Sequence, residues 1–578
     1  MKNIYSKILI TGLLAIFITG CQDVLDVTPK GTIAESQLTE PEHAEGLVTA
    51  AYALYGKLHP FDTFNPYIAS IRSDDAYKGG GGLSDQPSWY QMEVFSLVNP
   101  SIENNEGAWI AGYAVVSRIN TAINVIKEIN EDDYPLKQQR IAEMRFLRGW
   151  MYFKMKQRWK WIPYITEDNA SLDSVYQVPN HPDGAENDLS LWGKIYDDFK
   201  FAAETLPEKQ SEIGRANKFA AEAFLAHTLL WMAYPEDNQN QVTTIDKTKL
   251  TEALEYCNSI INSGNYRLAD DFADNFLLDW DNKSPESIWE LQFSRDDGTT
   301  YGSFNRGNGL TAPWWAPYYL CCDFHKASTN MVNAFRVNDN GLPMFYTFND
   351  EEIDDISTYF AQRSFDPRLG HTVSIPGFPW KYQDVIFEKR ASRMPATYGY
   401  FHSLKEQVKT DSPALVNLFW MYNSKNQQEI RLAEVLLWKA EILIQLDRQD
   451  EALPIINQIR ERAANSENKL RLPDGSFPTN YKVEKYVDGG NIDWTKENAW
   501  KALMWEKRLE FGMEGRRFYD LVRWGIAADV MNNYFETEKK RRYWMDVAFF
   551  TKGRDEYLPI PQEQINFMKG LYKQNPGY

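Results

Sequence analysis

Cysteine is scarce: the 578 residues contain four, Cys21, Cys257, Cys321 and Cys322. No Cys-x-x-Cys pair occurs, which excludes a zinc ribbon and a thioredoxin-type redox site. Cys321 and Cys322 are adjacent; a bridge between neighbours is strained, so two unpaired thiols are expected. None of the seven histidines stands at metal-ligand spacing from another, so neither metal nor cofactor is expected. Basic surplus is lacking as well. A formal net charge of −18 argues against a nucleic-acid partner, which needs a basic face, and against a polybasic membrane patch. Beyond the first twenty residues no stretch of 18 consecutive apolar residues occurs, so nothing else reads as a transmembrane span. GxxxxGK[ST], HExxH and GxSxG are missing. Gly79 and Gly81 begin a GxGxxG that fails at Ser84, and an EF-hand loop around Gly341 fails at Arg336. The 80 carboxylates leave a glycosidase-like pair open, because sequence alone does not show two acids facing each other.

What is present is a globular composition, 43% hydrophobic and 25% charged, which excludes disorder as the main state. Aromatics are abundant, with 19 Trp, 32 Tyr and 31 Phe, and so many Trp point to a surface that stacks on something flat. Residues 1–20 read as a signal peptide: Lys2 and Lys7, then an apolar run from Ile8 to Ile18 too short to span a bilayer. It ends Ile18-Thr19-Gly20-Cys21, which resembles a lipobox and marks Cys21 for acylation and cleavage before it. Cleavage removes two lysines and no acid, taking the formal charge from −18 to −20. Residues 21–36 then read as a lipidated tether.

Two blocks carry helical periodicity. In residues 37–264 the stripes are Trp109 to Ile126, Ile141 to Phe153, Trp192 to Ala202, Phe219 to Leu230 and Ala253 to Ile261, with an insertion at 60–104. In residues 428–578, Ala433 to Ile444 and Ala452 to Ala463 flank a polar turn, the plan of an αα-hairpin. The expected fold is mainly α: degenerate tetratricopeptide-like helical-hairpin repeats, about four pairs, with large irregular insertions and a little β. Residues 265–427 are the larger insertion. Ser287 to Phe293 alternates like a strand, and Pro313-Trp314-Trp315-Ala316-Pro317 cannot be a helix interior. Residues 37–578 are read as one structural unit. Structured loops on a helical frame are where binding is expected.

Several segments together resemble the SusD/RagB family of nutrient-binding lipoproteins: Cys21 to Pro29, Ser73-Asp74-Asp75, Arg145-Phe146-Leu147-Arg148, Gly214-Arg215-Ala216, Asp366-Pro367-Arg368-Leu369, Ile430 to Leu437, Glu506 to Trp524, Leu558 to Pro561 and Gln574 to Tyr578. Lys507 departs from the family's more usual Glu-Arg. The resemblance implies a SusD-like fold and no catalytic centre. It also implies a lipid anchor at the outer membrane of Bacteroidetes, exposed at the cell surface, and delivery of oligosaccharides to a SusC-like TonB-dependent transporter. Peptide cargo, as in the RagB branch, is the alternative, and a surface glycoside hydrolase a remoter one. The family motifs do not cover ligand residues. The aromatics of the two insertions are therefore the candidates: Trp314, Trp315, Tyr318 and Tyr319, with Trp89, Tyr90, Arg72 and Asp75. Trp109, Trp150 and Trp192 lie on helical stripes and are assigned to the core. Glu506, Glu510 and Glu514 are assigned to a structural ion-pair network, with Arg431–Glu434, Asp520–Arg523 and Arg516–Asp520 expected as helical neighbours.

Overall fold

The computed structural model describes residues 40–55, 66–185, 187–295, 297–298, 302–416 and 418–578. The signal peptide, Cys21 and the tether lie outside the described residues. Each helical stripe read from the sequence falls within a helix. Seven helices hold the stripes, α3 (Asn105–Glu128), α4 (Lys137–Trp159), α5 (Leu189–Thr205), α6 (Lys218–Ala233), α7 (Lys247–Asn262), α8 (Leu432–Gln445) and α9 (Gln449–Ala464), and α1 (Pro41–Tyr55), α2 (Pro87–Val94) and α10 (Lys496–Phe511) are among the helices that no stripe announced. Side-chain caps start several of them where Asn, Asp or Thr stands just before the apolar run. Asn217 Oδ1 accepts from Ala220 N at 2.9 Å, and Asp246 Oδ1 accepts from Thr248 N at 2.8 Å. Helices consecutive in the chain pack as neighbours, α3 on α4, α5 on α6, α6 on α7 and α8 on α9, and α7 packs on α8 across the middle region. That contact joins the two blocks into one frame. Among the described residues no helix is long and apolar enough to cross a membrane.

The core runs through both blocks. Trp109, Trp150 and Trp192 are buried, and so are most of the 19 tryptophans. The aromatic excess therefore serves the interior first, which corrects the expectation that it chiefly marks a stacking surface. The strand β2 (Ser287–Leu291) drives Trp289 into the first block, where its ring meets Phe146 at 4.8 Å and Trp150 at 5.6 Å, both edge-on.

The charged motifs hold the irregular region to the helices. Arg368 reaches Asp366 at 2.7 Å, Glu506 at 2.6 Å and Glu510 at 3.2 Å. Glu510 also receives Arg431 at 2.5 Å and pairs with Arg462, which pairs in turn with Glu286. Glu514 takes Lys405 at 2.7 Å. Burial pushes the Glu510 carboxyl up, but Arg462, Arg431 and Arg368 outweigh it and hold the group far below the usual carboxylate range. Glu506, Glu510 and Glu514 are thus members of an ion-pair network, as read. The local pairings are only partly as read. Asp520–Arg523 forms at 2.9 Å, but Arg431 turns to Glu510 instead of Glu434, and Arg516 lies 3.4 Å from Glu434 instead of pairing with Asp520. Partners on other elements lie closer than partners one turn away.

Candidate functional site

Two insertions far apart in sequence meet in one short sheet. β1 (Ala76–Gly79) pairs antiparallel with β3 (Phe324–Ala327), Ala76 opposite Ala327 and Gly79 opposite Phe324. Beyond β1 the chain turns through Gly79, Gly80, Gly81 and Gly82. Gly79 and Gly80 hold φ near +79° and +78°, and a Cβ there would meet Asp323 O at 2.3 Å and the Phe324 ring at 2.4 Å. A Cβ on Gly81 would meet Arg393 Cζ at 2.7 Å. The glycines therefore let this turn lie flat on Phe324 and Arg393. The turn sits between a strand, β1, and a helix, α2. Its cradle is filled by protein side chains.

Asp85 fixes the edge of the turn. Its Oδ2 accepts from Gly81 N at 2.7 Å and from Arg393 Nη1 at 3.0 Å. Lys78 anchors it from below, donating to Gly82 O at 2.8 Å and to Asp85 O. Burial pushes the Lys78 ammonium down to about 8, against the pull of Glu93 and Asp85. On the other side Asp323 Oδ2 accepts from Arg393 N at 2.7 Å, while Asp323 Oδ1 takes the buried Lys326 ammonium at 2.9 Å. Arg393 then reaches over the Trp314 ring, its Cζ 5.1 Å from the centroid. Trp314 is 44% exposed, so an indole stands at the surface with its angle set by Arg393, Asp85 and the glycine turn. Tyr318 is half-buried nearby in sequence and Leu320 is exposed.

The remaining candidates are placed differently. Trp315 and Tyr319 are each 1% exposed in a small second core. Trp315 packs edge-on against Trp380 at 5.5 Å and Phe387 at 5.2 Å, and Tyr319 OH donates to Val408 O at 2.6 Å. Trp89 is buried between Tyr67 and Phe324. Tyr90 is half-buried and donates to Trp544 O at 2.9 Å. Arg72 is buried, its Nη2 on Asp555 O at 2.8 Å and its guanidinium 4.3 Å over Phe518. Asp75 is buried against Arg508 Nε at 3.1 Å; burial raises its carboxyl and Arg508 opposes this. Asp74 beside it meets Arg517 at 2.8 Å. Ser73-Asp74-Asp75 thus ties the first insertion to the C-terminal signature. Cys321 and Cys322 have their sulfurs in bonding contact, where two free thiols were expected. The two are adjacent and joined by a cis peptide bond.

Arg393 and Asp85 were not among the sequence candidates. Neither sits in a motif, and 308 residues separate them. The run of four glycines was the one usable signal, since close backbone packing requires it. Among the described residues no group of three or more His, Cys, Asp or Glu could hold a metal ion.

Comparison with known proteins resolves the family. Residues 285–578 match the model of the SusD family, and residues 77–230 match a model described as starch-binding associating with outer membrane. The chain belongs to the SusD family. A SusD-like protein of Bacteroides ovatus is 24% identical over 97% of this chain and 93% of its own length. The starch-binding protein SusD of Bacteroides thetaiotaomicron is 22% identical over 100% of this chain and 99% of its own. Among solved structures, a SusD-like protein from Bacteroides fragilis superposes with a TM-score of 0.69 at 18% identity, covering 94% of this chain and 99% of that one. A laminarin-binding SusD-like protein gives 0.61 at 20% identity, with 93% and 99% coverage. These likenesses show the fold: a mainly helical, tetratricopeptide-like frame with irregular insertions.

Proposed function

We propose that this SusD-family chain is a non-catalytic binding protein for oligosaccharides. The observation that carries the reading is the half-exposed Trp314, held by Arg393 and Asp85 over the glycine turn. The ring face away from Arg393 stacks on the C–H face of a sugar, while the guanidinium over the ring and the Asp85 carboxylate paired with it take hydroxyls. The names of relatives support the ligand class, since one is a starch-binding protein and another binds laminarin. In this reading Cys21 carries the lipid anchor at the outer membrane, the body faces outward, and cargo passes to a SusC-like TonB-dependent transporter. Trp314 and Tyr318 are the ligand-facing members of the candidate set, and the buried members shape the loop beneath them.

Titration calorimetry of the mature chain against starch and laminarin oligosaccharides tests the reading. At least one series should bind, and chromatography after long incubation should show each oligomer intact. Shortened products that persist through rigorous purification would replace binding with hydrolysis.

A further inference from the structure

A second site lies beneath the sheet that carries the Trp314 surface. A cavity of about 100 Å³ opens between the middle region and the C-terminal block, bordered by His325 of β3, by Lys405, Glu406 and Lys425, and by Glu514 and Arg516. That volume holds more than a single water. Its two carboxylates are already engaged. Glu406 accepts from His325 Nδ1 at 2.8 Å and from Ser403, and Glu514 is shared by Lys405 at 2.7 Å and Arg431 at 3.2 Å. Arg516 is engaged too, on Glu429 O at 2.6 Å.

Lys425 is the exception. Only 8% of its surface is exposed, it borders the cavity, and among the described residues its ammonium has neither a hydrogen-bond acceptor nor a carboxylate within ion-pair reach. Asp281 and Glu290 feel its charge through space, but neither comes within 4.0 Å of it. Among the described residues, Lys381 donates only to the carbonyls of Phe276 and Lys405, each at 3.2 Å. Burial pushes Lys381 well below the usual lysine range, and Lys425 is the first charge to oppose its protonation. The Lys425 ammonium is not among the buried polar atoms, so it meets the solvent of the cavity as a charge with no counter-ion, in a chain of net charge −18. Of the asparagines bordering the cavity, Asn275 donates to Phe272 O and Glu286 and Asn426 donates to Asn282 and Gln292, which leaves the Asn305 amide for a ligand.

We propose that this cavity binds a small carboxylate, with Lys425 as its counter-ion and the Asn305 amide holding a polar substituent. The carboxylate is that of a uronic acid or of a free organic acid; a neutral sugar lacks the group Lys425 requires. The site is independent of the Trp314 surface, and loss of glycan binding there leaves it intact.

Calorimetry of the full mature chain with galacturonate, succinate and galactose tests this. Galacturonate or succinate should bind with one-to-one stoichiometry, and whichever binds names the source. Galactose should bind at least about tenfold more weakly than galacturonate, because it cannot make the charge-assisted contact. Lys425→Gln should weaken the carboxylate by about tenfold or more, Lys425→Arg should retain most of it, and Trp314→Ala should leave it unchanged. If Lys425→Gln does not fold, the wild-type comparison of galacturonate with galactose decides alone. No binding of either carboxylate, equal binding of galactose and galacturonate, or full affinity in a folded Lys425→Gln protein would each overturn the proposal.

Discussion

Trp314 and Trp315 are neighbours in the chain and opposites in surroundings. One is 44% exposed beneath a guanidinium and the other 1% exposed inside a ring cluster. Their truncations should therefore separate. Trp314→Ala should weaken oligosaccharide binding by about 5- to 150-fold, the cost of about 1–3 kcal/mol for one aromatic platform, with a thermal midpoint close to wild type. Trp315→Ala should cost about 3–5 kcal/mol of stability, as should Trp150→Ala, because each empties a packed site. Calorimetric affinity beside thermal unfolding reads both. A Trp314 variant that binds normally would remove the platform from the site. At the same scale His371 sets a pH dependence. Its Nε2 meets Ser466 O at 2.7 Å and its Nδ1 meets Tyr382 OH at 3.0 Å, which suits the neutral ring. Burial lowers it from 6.5 to about 4. The unfolded chain then takes up a proton on this residue near pH 6.5 while the folded chain does not, so stability falls between pH 6.5 and about 4. His371→Gln should flatten that part of the curve. Thermal midpoints of both proteins across pH 4–7 check it, and parallel curves would assign the acid sensitivity to other groups.

Helices and strands show what a one-dimensional pattern can carry. A stripe such as Ile141 to Phe153 repeats at the helical period, and its helix, α4, follows from that alone. Likewise β2 announces itself by alternation. Partners across elements leave no such trace. Arg431 has Glu434 three residues away, yet its carboxylate is Glu510, 79 residues on. Arg393 carries no signal at all, since the acid that orients it belongs to a different insertion. The family segments were legible as a set because they are the frame's own fasteners. Arg368, Arg431, Glu506, Glu510 and Asp74 all sit in ion pairs between elements, and the proposed ligand surface at Trp314 lies outside these segments. Breaking one fastener should be severe. Glu510→Ala leaves three arginines facing each other without their shared counter-charge, for a loss of about 3–5 kcal/mol. Denaturant unfolding of the variant measures this, and a loss below about 1 kcal/mol would mean that water or a neighbouring acid takes over.

For the whole molecule, attachment and assembly are separate properties. No helix among the described residues is long and apolar enough to cross a bilayer, and in the proposed reading the anchor is Cys21. Cys21→Ala should leave the protein soluble or unprocessed, and metabolic lipid labelling with membrane fractionation checks this; labelled variant in the outer-membrane fraction would refute it. The β1–β3 pair has a consequence of another kind, for the order of events in folding. Ser328 Oγ donates to Asp74 O across 254 residues of chain, and the floor under Trp314 exists only once that contact has closed. Closing a loop of that length costs about 5 kcal/mol of chain entropy beyond a fixed term, whereas each helical hairpin forms from nearby residues. Refolding should then restore helical circular dichroism first and glycan binding only in the last phase. Competence to bind becomes a report on completion: a chain that has built its helices but not joined its two insertions holds every residue of the site and none of its shape.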